Sequence, residues 1–214
     1  MTTASLEHAP SPATGVRGDA IVLAVDAGSH GPRAVEVLLE GVAAALGPQV
    51  PPTYASTHVV ALEGVHHVGA LVWEEPPWRL DLLAVAHRVV PPAGATLCRM
   101  TRHGAQLSGD GPTSAVLVAA REAVSGERGR VTSFPGQAEA SGAVPVARLL
   151  ATTAVDAVVG LAGTPVADVD VVDTGDWIRP RWNAGRLELL VERAAGGVLR
   201  PFEQRTQIAC CELH

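Results

Sequence analysis

Histidine is the residue type in this sequence whose placement best suits acid–base or metal chemistry. A neutral imidazole ligates borderline metals, and it exchanges protons near neutral pH. Six histidines fall in the predicted α/β part of the chain, most of them in or beside predicted loops: His30, His58, His66, His67, His87 and His103. We expect a metal-binding or acid–base role for at least one of them, and a structural role is the alternative for each.

A carboxylate accompanies the first of these histidines. Asp26 follows an apolar run over residues 21–25 and precedes Gly28-Ser29-His30-Gly31. In an open α/β sheet ligands bind where the strands end, and the start of the next helix can hold an anion or a carbonyl oxygen. The loop is not a G-x-G-x-x-G fingerprint, so no nucleotide cofactor is predicted. The alternative is that Asp26 and Ser29 only cap the helix.

A second group of potential ligands lies at the carboxyl end of the chain. Cys210, Cys211 and His214 fall within the last five residues. Thiolate and imidazole together suit zinc, copper or iron, although three ligands close only part of a tetrahedral site. Cys98 and His103 are candidates for the remainder. The alternative is a frayed tail whose cysteines are incidental.

Composition removes several other kinds of chemistry. All sixteen basic residues are arginines, so a Schiff-base lysine, a pyridoxal phosphate anchor and a P-loop lysine are excluded. Neither G-x-S-x-G nor H-E-x-x-H occurs. The net charge is −6 and no basic stripe is present, which argues against a nucleic-acid partner. The apolar runs are too short for a membrane span. Three cysteines cannot all pair, which suits a reduced, cytoplasmic protein.

The periodicity of apolar residues predicts the elements that would position these groups. A strand over 21–25 and a helix over 33–46 form the clearest pair. Further strands are predicted over 57–62, 70–73, 95–100 and 131–134, and further helices over 114–124 and 144–159. Residues 79–85 suit a strand or a short helix equally well. Residues 169–173 and 186–191 alternate, and Ala195-Gly196-Gly197 predicts a hairpin turn before Val198.

These elements predict an α/β fold, with a small three-layer sheet that carries helices on both faces and a C-terminal β-hairpin appendage. We divide the chain into a flexible tail over 1–18, an α/β domain over 19–165 and the appendage over 166–214. The tail is rich in Ala, Ser, Pro and Thr and has no charged segment followed by an apolar one, so it does not read as a signal peptide.

Four short segments resemble the hydrogenase maturation proteases between Ile21 and Gly163. They are 21–25 with Gly31-Pro32-Arg33-Ala34-Val35-Glu36, Leu82-Leu83-Ala84-Val85 with Pro91-Pro92-Ala93-Gly94, Arg102-His103-Gly104, and 131–135. The resemblance implies a peptidase that senses nickel in a hydrogenase large subunit and then cleaves it. It implies Asp26, Glu63 and His103 as metal ligands, with a metal-bound water that attacks the peptide bond. An inactive relative with an altered metal site is the other form of this hypothesis.

Two further hypotheses stay open at this point. The protein could be a non-catalytic α/β protein that binds a metal, nickel or zinc, or a partner protein through Cys210, Cys211 and His214. Alternatively, Gly28-Ser29-His30-Gly31-Pro32-Arg33 resembles the opening of the sirohydrochlorin chelatases, which implies a tetrapyrrole cleft. Convergence of Asp26, Glu63 and His103 would favour the peptidase, whereas a ligand close to the C-terminal cysteines would favour the second hypothesis.

Overall fold

A computed structural model describes residues 19–62, 64–74, 81–90, 94–101, 104–109 and 113–205. The described residues form four α-helices, α1 Pro32–Leu46, α2 Leu82–Ala86, α3 Thr113–Ser125 and α4 Val146–Thr152. Their strands are β1 Ala20–Ser29, β2 Tyr54–Val60, β3 His66–Trp73, β4 Ala95–Thr101, β5 Gly104–Ser108, β6 Arg128–Ser133, β7 Ala143–Pro145, β8 Ala157–Gly160, β9 Val171–Asp173, β10 Arg181–Asn183, β11 Arg186–Arg193 and β12 Leu199–Pro201. None of these helices is long and apolar enough to cross a bilayer.

The strands join in one sheet in the order β5-β4-β1-β3-β2-β6-β10-β11-β12-β9-β7, and β8 pairs with β11. β1 is buried on both faces, as its continuous apolar run predicts. Leu23 and Val25 pack with α1 and α2 on one face, whereas Val22 and Ala24 pack on the side of α3. The α/β fold with helices on both faces is therefore confirmed, and so is the C-terminal hairpin, which β11 and β12 form.

Close packing of α1 on the sheet depends on one glycine. Gly69 of β3 lies under the helix, and a Cβ atom there would fall 2.7–2.9 Å from the side chains of Leu39 and Val35. The absent side chain lets the helix approach the strand directly, and this fixes the position of the whole first turn of α1 above the sheet.

The strand directions differ from those of an open parallel sheet. Both neighbours of β1, the strands β3 and β4, run antiparallel to it. The edge where β1 ends therefore holds the beginnings of β3 and β4 instead of the ends of parallel strands. The expectation that strand ends meet beside Asp26 is therefore wrong. His66, at the start of β3, lies there instead of a second strand end.

The helix predicted over 144–159 is wrong in most of its length. The structure has β7, then α4, and then β8, which pairs in parallel with β11. Thr152 and Thr153 end the helix, because their hydroxyls donate to the carbonyls of Arg148 and Leu149, four residues earlier. Asp156 then anchors the next strand by accepting a hydrogen bond from the backbone N–H of Leu187 at 2.7 Å.

The undecided segment over 79–85 contains α2. Asp81 caps this helix by accepting a hydrogen bond from the N–H of Ala84 at 3.0 Å. The C-terminal strands continue the main sheet through the pairing of β10 with β6, and β12 pairs with β9. The boundary at residue 165 between domain and appendage stays a prediction.

Candidate functional site

Asp26 is held beside His66 at the edge where β1 ends. Its Oδ2 lies 3.0 Å from His66 Nε2, and its Oδ1 accepts the N–H of Gly28 at 3.0 Å. His66 Nδ1 lies 3.1 Å from the carbonyl oxygen of Gly64. Both ring nitrogens of His66 thus face oxygen atoms, and both carboxylate oxygens of Asp26 are used within the protein.

The other predicted metal ligands lie outside the described residues: Glu63, His103, Cys210, Cys211 and His214. Thr101 and Gly104, on either side of residues 102–103, are partners in the β4–β5 pairing. The adjacent Met100 lies opposite Ala20, six positions before Asp26 along β1. Within the described ranges no three His, Cys, Asp or Glu side chains are placed to share one metal ion. The metal sites stay predictions.

Cys98, the additional ligand considered for the tail site, lies in β4 with no exposed surface. Its Sγ is 3.3 Å from Met100 Sδ. Burial raises the pKa of this thiol, and the positive charge of Arg121 lowers it by a smaller amount, so the pKa remains raised. A buried, protonated thiol packs as a small apolar group and is poorly suited to metal ligation.

His58 belongs to a buried network that the sequence did not reveal. Ser56 Oγ lies 2.8 Å from His58 Nε2, and His58 Nδ1 lies 3.1 Å from Glu122 Oε2. A neutral ring that donates from Nδ1 to the carboxylate and accepts the hydroxyl proton at Nε2 satisfies every contact. Arg128 Nε completes the network at 3.0 Å from Glu122 Oε1.

The connectivity of this network is that of a nucleophile, a base and an orienting acid. However, Ser56 and His58 are each only 1% exposed. They lie mid-strand in β2, between β3 and β6. A substrate carbonyl has no access to Ser56 in this structure, so the network ties β2 to α3 and serves packing.

A wide opening in the described structure is lined by one edge of α1, by β6 and by the segments before β10 and after β12. We call it the arginine cleft. It has a volume of about 600 Å³ and is lined by Pro32, Arg33, Glu36, Val37, Glu40, Arg130, Thr132, Gln137, Asp176, Trp177, Arg179, Glu203, Gln204 and Arg205. The α1 residues among them recur at intervals of three and four, so they share one side of the helix.

Glu36 is the buried centre of the arginine cleft. Its Oε1 accepts hydrogen bonds from Arg130 Nη1 and, at 3.0 Å, from Arg179 Nε. The Glu36 and Arg179 side chains are 9% and 7% exposed, and that of Arg130 is 19% exposed. Arg130 also donates through Nε and Nη2 to Glu203 Oε1. One buried carboxylate is therefore shared by two guanidinium groups, and Glu203 meets the second positive charge from the surface.

Trp177 stacks against both arginines of this cluster. The guanidinium carbon of Arg179 lies 4.5 Å from the indole ring centre, and that of Arg130 lies 5.6 Å from it. A guanidinium over an indole face gains cation–π attraction and keeps its planar edge available for carboxylates. The ring thus helps to orient the two donors that line the cleft.

The charges of the cluster shift its pKa values in opposite senses. Burial raises the pKa of Glu36, but the hydrogen bonds and charges of Arg179 and Arg130 outweigh it and leave that pKa below 4.5. For Arg130, burial lowers the pKa, yet the hydrogen bonds and charges of Glu203 and Glu36 outweigh this and leave the pKa raised. Glu36 and Arg130 are therefore both ionised at neutral pH. The nearby His67 has a lowered pKa, through burial first and then through the charges of Arg130 and His66.

The lowered pKa of Glu36 predicts an acid-sensitive contribution to stability. In the unfolded chain Glu36 binds a proton near its ordinary pKa of 4.5, and in the folded chain only at lower pH. Its stabilisation is therefore complete above about pH 4.5 and is lost as the pH falls through the lowered folded pKa. Urea unfolding of the wild type and of Glu36→Gln, from about pH 7 to about pH 3, measures this as a difference that shrinks in acid. A difference that stays constant across this range would contradict the prediction.

Sequence reasoning missed this cluster, although two signals were present. Glu36 follows Val35 in a helix and interrupts its apolar face. Arg130 lies between Gly129 and the buried Val131 in a strand. A charged residue at an inward-facing position predicts an ion-pair partner. Glu36 and its partners Arg130 and Arg179 are 94 and 143 residues apart, so the sequence alone could not pair them.

Comparison with protein-family models, with curated proteins and with solved structures found no match to this chain. The resemblance to hydrogenase maturation proteases therefore stays a prediction, and so does the shorter resemblance to the chelatases. The functional argument has to be made from the geometry of the chain itself.

Proposed function

We propose that this protein is a ligand-binding α/β protein whose arginine cleft takes a small organic carboxylate. The observation that carries the proposal is the charge count of the buried cluster. Arg130 and Arg179 bring two positive charges, and the buried Glu36 neutralises one of them. The other faces the cleft, where only the half-exposed Glu203 meets it. A cation whose second counter-ion lies at the surface can exchange that carboxylate for the carboxylate of a ligand.

The chemistry of the lining favours a carboxylate with an organic body. A guanidinium presents a planar fork that matches two carboxylate oxygens, and Trp177 offers an aromatic surface to the rest of the molecule. A volume of about 600 Å³ lies within the range of small-molecule sites. Four arginines and four carboxylates line the cleft, so its charges balance while Glu203 is in place. Displacement of Glu203 would leave the charge of Arg130 to the carboxylate of a ligand.

Binding without catalysis fits this lining better than hydrolysis. The described residues of the cleft include no His, Cys or Ser. Arginine stays protonated and therefore cannot act as a general base at neutral pH. The proposal thus follows the non-catalytic hypothesis. It assigns the binding to the cleft, whereas the sequence had suggested the C-terminal cysteines. The metal-dependent peptidase stays a second prediction.

Calorimetric titration of the full chain with succinate and citrate tests the proposal. We expect saturable binding that weakens by about 10- to 100-fold in Arg130→Gln, because a charge-assisted hydrogen bond contributes about 1.5–3 kcal/mol. Arg130→Lys keeps the charge and loses the fork, so it should bind at an intermediate level. Arg148→Gln is the matched control, since Arg148 pairs with Glu139 on an exposed surface outside the cleft.

Two results would overturn the assignment. One is equal affinity in the wild type, Arg130→Gln and Arg148→Gln, which would place any binding elsewhere. The other is the absence of carboxylate binding in the wild type and in every variant of the cleft, the Glu203 variant described below included. Inorganic phosphate titrated in parallel separates a preference for carboxylates from general anion binding.

A further inference from the structure

The segment after β12 covers part of the arginine cleft. Residues 202–205 follow the last strand, and Glu203, Gln204 and Arg205 line the cleft. Their carboxylate, Glu203, bonds to Arg130 through the same guanidinium edge, Nε and Nη2, that would receive the carboxylate of a ligand. The protein therefore already holds a carboxylate at the position that the cleft offers to one.

Among the described residues, the Glu203 ion pair and one backbone hydrogen bond join this segment to the body of the protein. The N–H of Phe202 bonds to the carbonyl oxygen of Leu190 at 2.9 Å, but the Phe202 side chain is 54% exposed. Glu203 is 34% exposed at its side chain, whereas Glu36 on the other side of Arg130 is 9% exposed. A segment with few buried apolar contacts opens at low cost, whereas the buried Glu36 does not leave its place.

We infer that Glu203 is a built-in competitor that occupies the carboxylate position of the cleft until a ligand displaces it together with residues 202–205. The inference rests on the proposed function, because it concerns the regulation of the same site. The exchange is balanced in charge, since one carboxylate leaves Arg130 as another arrives. A tethered competitor acts at a high effective concentration and so weakens the apparent affinity for a ligand in solution.

Titration of succinate into full-length Glu203→Gln tests the inference. We expect at least about tenfold tighter binding than in the wild type, because the neutral amide competes poorly for Arg130. Glu127→Gln is the matched control. It removes the same charge from an exposed glutamate outside the lining of the cleft, where Glu127 pairs with Arg128 at 3.6 Å. We expect the control to change the dissociation constant by no more than about twofold.

Limited digestion with trypsin gives a second reading of the displacement. Cleavage after Arg205 should become several-fold faster in wild-type protein saturated with succinate, because the segment has left the cleft. Slower cleavage with ligand would mean that the segment closes over the ligand, and it would overturn the inference. Weaker binding in Glu203→Gln would overturn it as well, since Glu203 would then be part of the binding site.

The outcomes separate this inference from the proposed function. If wild type binds succinate, Arg130→Gln weakens it and Glu203→Gln matches Glu127→Gln, the cleft is a binding site and the competitor is refuted. If neither wild type nor Glu203→Gln binds succinate or citrate, the proposed function itself fails, and the competitor fails with it. If Glu203→Gln binds more tightly and the control does not, and if ligand speeds cleavage after Arg205, the results support both the binding cleft and the competitor.

Discussion

Replacing Glu36 with glutamine is expected to lower the free energy of unfolding by about 3–5 kcal/mol at neutral pH, because the change leaves a buried cation without its counter-ion. Arg179 is 7% exposed, and its Nε hydrogen bond goes to Glu36 Oε1 at 3.0 Å. Arg130 keeps Glu203 but loses its buried partner. Glutamine preserves the shape of the side chain, so the measured loss reports charge and hydrogen bonding and contains little from packing.

Urea unfolding followed by circular dichroism measures this loss against two controls. Glu40→Gln makes the same change one helical turn further along α1, at an exposed position, and should cost less than about 0.5 kcal/mol. The double variant Glu36→Gln/Arg179→Gln removes the stranded cation, so it should lose clearly less than the sum of the two single variants. A single variant Glu36→Gln as stable as Glu40→Gln would show that water or Glu203 compensates the arginines fully.

Sequence patterns predict the secondary structure best in the first half of the fold. A continuous apolar run placed β1 correctly, and the three-to-four spacing of apolar residues placed α1, because both signals are local. The direction of neighbouring strands has no such local signal. β1 reads the same in a parallel and in an antiparallel sheet, and this is why the ligand edge assigned to Asp26 rested on a wrong premise.

The error at residues 144–159 has a different cause. Alanine, valine and leucine occur in buried helices and in buried strands, so composition did not separate α4 from β8. The deciding contacts are the backward hydrogen bonds of Thr152 and Thr153, together with the bond from Leu187 to Asp156. The last of these joins residues 31 apart, which no local pattern contains.

The candidate site was harder to foresee than the fold, for reasons that the residues make plain. The chemistry of imidazole predicted a functional role for at least one histidine. In the structure His58 is buried in a packing network and His66 is paired with Asp26. The arginines carried no motif, since all sixteen basic residues of the chain are arginines and none stands out by type. Only the fold shows that Arg130 and Arg179 share one buried carboxylate.

Replacing Gly129 with alanine is expected to destabilise the protein by more than about 3 kcal/mol, or to prevent its folding, because two penalties coincide. Gly129 has a φ of +135°, a region that side-chain-bearing residues rarely adopt. A Cβ atom there would lie 2.5 Å from Cε1 of His58. His58 cannot move aside, since Ser56 and Glu122 hold its two ring nitrogens inside the core.

Gly104 supplies the control that separates the two penalties. Its φ is +139°, and a Cβ atom there would meet no atom of the described residues within 4 Å. Gly104→Ala should therefore carry the backbone strain alone, about 1–3 kcal/mol in denaturant unfolding. The excess loss in Gly129→Ala measures how firmly the buried network holds the His58 ring. Equal losses in the two variants would mean that the ring yields and that Ser56 and Glu122 do not fix it. A large excess would establish His58 as a rigid part of the core between β2, β6 and α3, with no freedom to act as a base.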